Sequence, residues 1–231
     1  MGISGKKIKL KLDKVTPMVV ILMPIYNEEP NALFRAVESA VRCDYPSSKK
    51  HIFLSFDEEK ETALYFALLK KLKILSKDVT KEIQQGLAAY ELELRKRDSE
   101  SHIKIFPPQL EWMVEGVRVT VCRFPHEGKS PTQGKSFKLT NTIYREKEAG
   151  NTFILFIDSD IILHDNPVHN FVTAAQSNPN VKGLTGLITC RTSRKFNFYQ
   201  YLQDAECIEG QMFVRTLESI LGAVSCLPMG L

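Results

Sequence analysis

The sequence has no uninterrupted apolar run of the roughly 18 residues that a membrane-spanning helix needs. Its five cysteines are scattered, without a CxxC pair and without histidines at zinc-finger spacing. No GxGxxG or GxxxxGK(S/T) motif follows any predicted strand. These absences argue against a membrane span in this sequence, a disulfide scaffold, a cysteine zinc site, and a Rossmann-type or P-loop nucleotide enzyme.

The excess of basic residues is small, because 31 lysines and arginines stand against 27 aspartates and glutamates, a net charge of +4. This excess is too small for a nucleic-acid-binding surface, and we expect no nucleic-acid partner. Five lysines nevertheless fall within the first fifteen residues, where isoleucine and leucine are interspersed. Residues 1–17 are therefore predicted to form a basic tail or an edge strand, with contact to an anionic membrane as the alternative.

Short apolar runs predict three strands, at residues 18–23, 51–56 and 152–157, and alternation of apolar and polar residues predicts a fourth at 117–124. The first run, MVVILM, and the last, TFILFI, are continuously apolar, which is typical of strands buried in a parallel sheet. Helical spacing of apolar residues predicts helices between these strands. Alternating strands and helices indicate an α/β fold with a mostly parallel sheet and flanking helices.

Three segments between the strands have distinct patterns. Residues 31–42 are predicted to be a helix with Pro30 near its start, where the missing N–H costs nothing. Residues 126–138 are predicted to be a basic, glycine-containing loop, followed by a helix at about 136–149 that Gly150 and Asn151 cap. Residues 61–98 are charge-rich and predict an inserted region of one or two helices covering a core, or alternatively a partner-binding coiled coil.

Two carboxylates one residue apart, Asp158 and Asp160, follow the last apolar strand. Like charges close together at the end of a buried strand need compensation, and a divalent cation would provide it. Carboxylate oxygens suit Mg²⁺ or Mn²⁺, which could also hold the diphosphate of a nucleotide. The alternative is that one aspartate caps the next helix and the other faces solvent.

Several motifs, taken in their order along the chain, resemble those of a known protein family. An apolar strand ending in PIYNE, a strand ending at Asp57, a basic loop and then FIDSD resemble the GT-A fold of family 2 glycosyltransferases, a nucleotide-diphospho-sugar transferase fold. More narrowly, HEGKSPTQGKSFKLT, FIDSDI and AECIEGQMFVRTLESILGAVSCLP resemble the fungal chitin synthases. The resemblance covers residues 18–231, and implies a GT-A domain that is incomplete at its C-terminal end.

This resemblance implies roles for particular residues, position by position. Tyr26, Asn27 and Glu28 would line the uridine pocket, and Asp57 would hold the uracil or ribose. Asp158 and Asp160 would bind the diphosphate and its metal, with Lys135 as the first choice for a lysine on the diphosphate and Lys129 and Lys138 as companions. Asp204, Glu206 and Glu209 precede an amphipathic segment, and a carboxylate there, with Glu206 as our candidate, could reach the acceptor sugar. Solvated lysines and surface carboxylates are the alternatives.

The resemblance implies transfer of a sugar, N-acetylglucosamine, from a UDP-sugar to a growing β-linked polysaccharide with inversion. The family's general base lies in an ED motif, followed by QxxRW and transmembrane helices, and none of these is found in the sequence given. We therefore expect a parent protein at the cytoplasmic face of a membrane, and a soluble segment here. The alternatives are a hyaluronan-like or cellulose-like synthase with another UDP-sugar, and a catalytically incomplete nucleotide-sugar-binding module.

Overall fold

A computed structural model of the chain describes residues 16–74, 106–145, 151–164, 166–178, 180, 183–184, 186 and 198–210. The chain divides into two compact units, Met1–Thr173 and Ala174–Leu231. Nearly all of the predicted basic tail and most of the predicted insertion at 61–98 lie outside the described residues. The prediction of one continuous domain over 18–231 stays a prediction. No helix among the described residues is long and apolar enough to cross a bilayer.

Five strands and five α-helices are described. The strands are β1 (Met18–Ile25), β2 (Lys50–Phe56), β3 (Gln109–Val114), β4 (Val117–Arg123) and β5 (Thr152–Phe156). The helices are α1 (Pro30–Arg42), α2 (Ala63–Lys71), α3 (Lys129–Tyr144), α4 (Pro167–Ser177) and α5 (Phe198–Glu209), with a short 3-10 turn at Ser47–Lys49. The strands belong to the first unit and α5 belongs to the second.

The strands form a single sheet in the order β3-β4-β2-β1-β5. β1 pairs in parallel with β2 and β5, and β2 pairs in parallel with β4, whereas β3 is antiparallel to β4. This arrangement confirms the predicted α/β class with a mostly parallel sheet and flanking helices. Because the four parallel strands point the same way, their carboxyl ends meet at one edge of the sheet.

Both faces of β1 are covered, which explains its continuous apolar run, whereas β5 is only partly buried. Val19, Ile21 and Met23 of β1 pack in a core with buried residues of α1, α2 and α4. The alternate residues Val20 and Leu22 pack in a second cluster with residues of α3. Since successive side chains of a strand point to opposite faces, a strand covered on both sides must be apolar at every position.

Strand β3 was not predicted from the sequence. Its residues, QLEWMV, pack only in part, and four of the six are exposed. Because it pairs on one side with β4 and lies at the end of the described sheet, burial does not force an apolar pattern on it. Its turn into β4 uses Glu115 and Gly116, both with positive φ, at 49° and 80°.

The predicted start of α3 was wrong. The helix begins at Lys129 rather than 136 and is described as far as Tyr144, while the predicted part at 146–149 lies outside the described residues. Residues 129–135, which were predicted only as loop and include Lys135, are therefore helical. The proposed cap at Gly150 lies outside the described residues, whereas Asn151 accepts a hydrogen bond from Met18 N–H at 3.0 Å.

Strand β1 extends two residues beyond its predicted end, through Pro24 to Ile25. The pairing of β1 with β5 ends at Leu22, whereas the pairing with β2 continues to Ile25. Pro24 therefore lies where the strand has a described neighbour on one side only, which is where a strand tolerates proline.

Candidate functional site

Polar side chains gather at the carboxyl edge of the four parallel strands. Tyr26, Asn27 and Glu28 follow β1, Asp57 follows β2, His126 lies shortly after β4, and Asp158 and Asp160 lie shortly after β5. This is the edge at which open parallel sheets bind ligands. The contacts described below connect the four strand ends to one another.

Asp57 is the most buried of these polar residues, with its side chain 2% exposed. Its Oδ1 accepts from Glu127 N–H at 3.0 Å and from the Thr132 hydroxyl at 2.8 Å. Its Oδ2 accepts from Gly128 N–H at 2.9 Å and lies 2.8 Å from Nδ1 of His126. Burial alone raises the pKa of the Asp57 carboxyl, but these hydrogen bonds together hold it below its ordinary value. Asp57 thus fixes the loop before α3.

His126 lies on top of Tyr26. Their ring centroids are 4.4 Å apart and the ring planes differ by 14°, which is a stacked arrangement. Both rings remain about half exposed, Tyr26 at 52% and the His126 side chain at 51%. The end of β1 and the loop after β4 therefore present a shared aromatic surface at the edge of the sheet.

Lys129, the first residue of α3, forms an ion pair with Asp158, with Nζ 2.5 Å from Oδ1. The Asp158 side chain is only 12% exposed, so its charge needs a partner, and Lys129 supplies one. The contact brings the N-terminus of α3 to the end of β5. Because helix N-termini carry partial positive charge and unpaired N–H groups, this corner suits an anion.

The ends of β1 and β5 are also joined directly. The Ser159 hydroxyl donates to Oε1 of Glu28 at 2.6 Å. Asn27 adopts a positive φ of 51°, a conformation that asparagine tolerates better than most residues. Asp160 is exposed. Through its hydrogen bond with Ser159, Glu28 therefore holds the segment from Asp158 to Asp160 in place.

Two of the predicted lysines, Lys135 and Lys138, take no part in these contacts. Lys135 pairs with Glu127 at 2.9 Å, and its Nζ lies 5.8 Å from the centroid of the Phe124 ring. Lys138 is exposed, nine residues into α3 from Lys129, about 13 Å along the helix axis at 1.5 Å per residue. Glu206 is exposed on α5, in the second unit. Of the three predicted lysines, Lys129 is the one in contact with Asp158.

The residues present fit a divalent cation when substrate phosphates complete its shell. Among the described residues no group of three or more histidines, cysteines or acids is placed to hold a metal. Asp158 and Asp160 are two hard oxygen donors, and Mg²⁺ is commonly held by one or two carboxylates together with substrate phosphates and water. Since Lys129 already compensates Asp158, a bound cation and this lysine would share that carboxylate.

Sequence reasoning did not single out His126 or Thr132, and it ranked Lys129 behind Lys135. The available signal was position in the sequence, because His126 lies in the loop that follows β4 and Lys129 comes at the end of that loop. Asp57 and Thr132 meet only through the folded arrangement of β2 and α3, which the sequence does not reveal.

Comparison with known proteins identifies relatives of one kind. No protein-family model matches the chain. The chain is 42% identical over 96% of its length to Chitin synthase 6 of Gibberella zeae, 40% identical to Chitin synthase 7 of Verticillium dahliae, and 39% identical to Chitin synthase VI of Metarhizium acridum. It spans only 26%, 29% and 32% of those proteins, respectively. The described α/β sheet is consistent with the GT-A fold expected from the sequence.

Proposed function

The chain is chitin synthase-like in sequence over 96% of its length, and we propose that it forms the nucleotide-sugar-binding part of a glycosyltransferase. The proposed reaction is transfer of N-acetylglucosamine from a UDP-sugar to a growing β-linked polysaccharide, with inversion. The observation that carries the proposal is the contact of Lys129 with Asp158, which brings the start of α3 to the end of β5 at the ligand edge of the sheet.

The diphosphate of the donor is proposed to bind at this corner. Lys129 and the N-terminus of α3 offer positive charge and N–H donors to phosphate oxygens. Asp158 and Asp160 would hold Mg²⁺ or Mn²⁺, which when bound offsets negative charge on the departing diphosphate. Lys135 and Lys138 remain weaker candidates, because the former pairs with Glu127 and the latter lies further along α3.

The uridine is proposed to bind beside Tyr26, Asn27 and Glu28. Tyr26 supplies a half-exposed aromatic ring that already stacks with His126, and nucleobases stack well on such rings. The acceptor is proposed to be a polysaccharide end, with Glu206 as the candidate carboxylate on that side. By the same resemblance, other segments of the parent protein would attach it to a membrane, with this part at the cytoplasmic face.

Calorimetric titration of the chain with UDP, with and without Mn²⁺, tests the proposal. We expect Mn²⁺ to strengthen UDP binding, and Asp160→Asn to abolish that gain while leaving the fold intact, because Asp160 is exposed. Asp44→Asn is a matched control, since Asp44 is also exposed but precedes β2, at the opposite edge of the sheet. A folded chain that binds no UDP under either condition contradicts the proposal.

Donor competition then separates the alternatives within the class. If the chain uses the donor proposed above, UDP-N-acetylglucosamine should displace UDP more effectively than UDP-glucose or UDP-glucuronate does. Preference for either of the other two would favour a cellulose-like or hyaluronan-like synthase. Binding without any transfer or donor hydrolysis would favour a nucleotide-sugar-binding module.

A further inference from the structure

We propose that Lys129 makes cation binding at Asp158 depend on the nucleotide. In the free chain the ammonium group of Lys129 pairs with Asp158, and the donor diphosphate draws this group away and leaves the carboxylate to Mg²⁺ or Mn²⁺. The inference rests on the proposed function, because it requires a diphosphate beside Lys129. It adds an order of events: the cation binds weakly to the free chain and more tightly once the nucleotide is present.

The free chain offers a divalent cation a carboxylate that already has a partner. Nζ of Lys129 lies 2.5 Å from Oδ1 of Asp158, whose side chain is 12% exposed. A cation that binds Asp158 must therefore displace the ammonium group or lie close to it, and close like charges repel each other. Asp160 is an exposed carboxylate, and Mg²⁺, which gives up its water reluctantly, is usually held by carboxylates together with substrate phosphates.

Lys129 can leave Asp158 while Asp158 stays in place. The Lys129 side chain is 44% exposed, and its ammonium group is carried on a flexible four-carbon stem. The neighbouring Ser159 is buried and donates to Oε1 of Glu28 at 2.6 Å. The carbonyl of Asp158 also accepts from Ile161 N–H at 3.2 Å. Departure of the lysine therefore leaves a carboxylate whose backbone remains held by other contacts.

The donor diphosphate competes well with Asp158 for this lysine. A diphosphate carries more negative charge than one carboxylate, and lysine is a common phosphate ligand in proteins. Lys129 is also the first residue of α3, and the first turn of a helix offers N–H groups and partial positive charge to an anion. A diphosphate at this position gains the lysine and the helix terminus together, whereas Asp158 gains the lysine alone.

Exchange of the lysine gives the coupling its sign. Once Lys129 contacts phosphate, Asp158 and Asp160 face the diphosphate without that compensating cation, and both changes favour a divalent cation. The coupling is reciprocal, so the factor by which UDP strengthens Mn²⁺ binding equals the factor by which Mn²⁺ strengthens UDP binding. We expect Lys129 to account for about tenfold of this factor, an ordinary size for coupling between two ligands.

Binding of Mn²⁺ to the full chain, with and without saturating UDP, tests the inference. Electron paramagnetic resonance measures the free ion, and a titration of UDP without protein corrects for Mn²⁺ bound in solution. Without UDP, Lys129→Met should bind Mn²⁺ about tenfold more tightly than the unsubstituted chain, because the competing ammonium group is gone. With saturating UDP the two proteins should bind Mn²⁺ equally, because the lysine has then already left Asp158.

Two control variants separate exchange from a general effect of charge. Lys129→Arg keeps the positive charge and should keep the weak binding of Mn²⁺ to the free chain. Lys70→Met removes an exposed lysine of α2 and should leave Mn²⁺ binding unchanged under both conditions. Thermal unfolding of each variant verifies that the fold is retained.

The outcomes separate this inference from the proposed function. If Lys129→Met tightens Mn²⁺ binding equally with and without UDP, the lysine repels the cation without being exchanged, and the inference is overturned. No change under either condition also overturns it, while the proposed function stands as long as UDP binds. If the folded, unsubstituted chain binds no UDP, the proposed function itself fails.

Discussion

At the scale of single residues, the observed ion pair of Lys129 and its proposed contact with phosphate can be tested separately. This lysine compensates Asp158 in the free chain, and we propose that it contacts phosphate when the donor binds. Lys129→Met should weaken UDP binding about tenfold, about 1.4 kcal/mol, because a charge-assisted hydrogen bond is lost. Uridine binding should be unchanged, since uridine has no phosphate. Titration with both ligands checks this.

The control for this charge change is Lys70→Met, because Lys70 is an exposed lysine on a different helix, α2. It should leave both affinities unchanged. If Lys129→Met weakens uridine and UDP binding equally, the lysine contacts the base or supports the fold, and our assignment of its role is wrong.

His51 makes stability depend on pH for a reason unrelated to the site. It is a fully buried residue of β2. Its Nδ1 lies 2.7 Å from the hydroxyl of Tyr144 on α3, and its Nε2 lies 2.7 Å from the hydroxyl of Thr120 on β4. Burial, helped by the nearby Arg118 charge and opposed by Glu111, lowers the pKa of His51 from 6.5 to about 3. The folded chain therefore keeps this imidazole neutral when the unfolded chain protonates it.

The sign follows from the lowered pKa. Above pH 6.5 His51 is neutral in both the folded and the unfolded chain, and its contribution to the unfolding free energy is fully present. This contribution is lost as the pH falls from 6.5 towards about 3, because only the unfolded chain then binds the proton. Between pH 7 and 5 the chain should lose about 2 kcal/mol more unfolding free energy than His51→Gln, in which this group does not titrate. Urea denaturation at the two pH values measures the difference. Parallel losses in both proteins would show that His51 is not the cause.

At the scale of elements, the start of α3 depends on a contact from β2. Gly128, at the N-cap position, has no side chain with which to cap the helix, and Asp57 accepts from its N–H and from the Thr132 hydroxyl. Thr132→Val removes one of these buried hydrogen bonds and should cost about 1–2 kcal/mol of unfolding free energy. Thr142→Val is the same change on the same helix at an exposed site, and should cost less than about 0.5 kcal/mol.

A second element-scale contact is the buried ion pair of Glu61 with Arg123, 3.2 Å apart, which joins the segment before α2 to the end of β4. Glu61→Gln would leave the Arg123 charge buried without an anion and should cost about 3–5 kcal/mol. Glu111→Gln is the matched change in the exposed pair with Arg118 and should cost about 1 kcal/mol or less. Similar losses in chemical denaturation would contradict this ranking.

The strands that were predicted from the sequence are those with at least one face covered in the folded sheet. β1, β2 and β5 were predicted from apolar runs and β4 from alternating apolar residues, because a strand must be apolar on each face that is covered. β3 was missed because it packs only in part. The start of α3 was missed because its stabilising contact comes from Asp57, far away in sequence, so GKSP resembled a loop.

The error in α3 also changed the ranking of candidate site residues. A helix that starts at 136 would leave Lys135 just before its first turn, beside the diphosphate corner. With the start at Lys129, that residue takes this place and Lys135 moves more than a turn along the helix, where it pairs with Glu127. The existence of these strands was predictable from their hydrophobic patterns, whereas the choice between two lysines depended on a tertiary contact.

At the scale of the whole molecule, the residues proposed to bind the donor all belong to the first unit, and Glu206 belongs to the second. The similarity to fungal chitin synthases extends over 96% of the chain and so covers parts of both units. Under the proposed function, the donor binds at the sheet edge of the first unit, and Glu206 in the second unit is the candidate for contact with the acceptor.

Hydrogen exchange measured by peptide mass spectrometry tests this division of roles. UDP with Mn²⁺ should slow exchange in peptides that cover residues 126–132 and 158–160, because ligand binding disfavours local opening of the segments it holds. Peptides from α5 should not change with UDP alone, and should change when a chitin oligosaccharide is added. Protection of α5 by UDP alone would place the second unit at the donor site, and Glu206 would then become a candidate donor-binding residue.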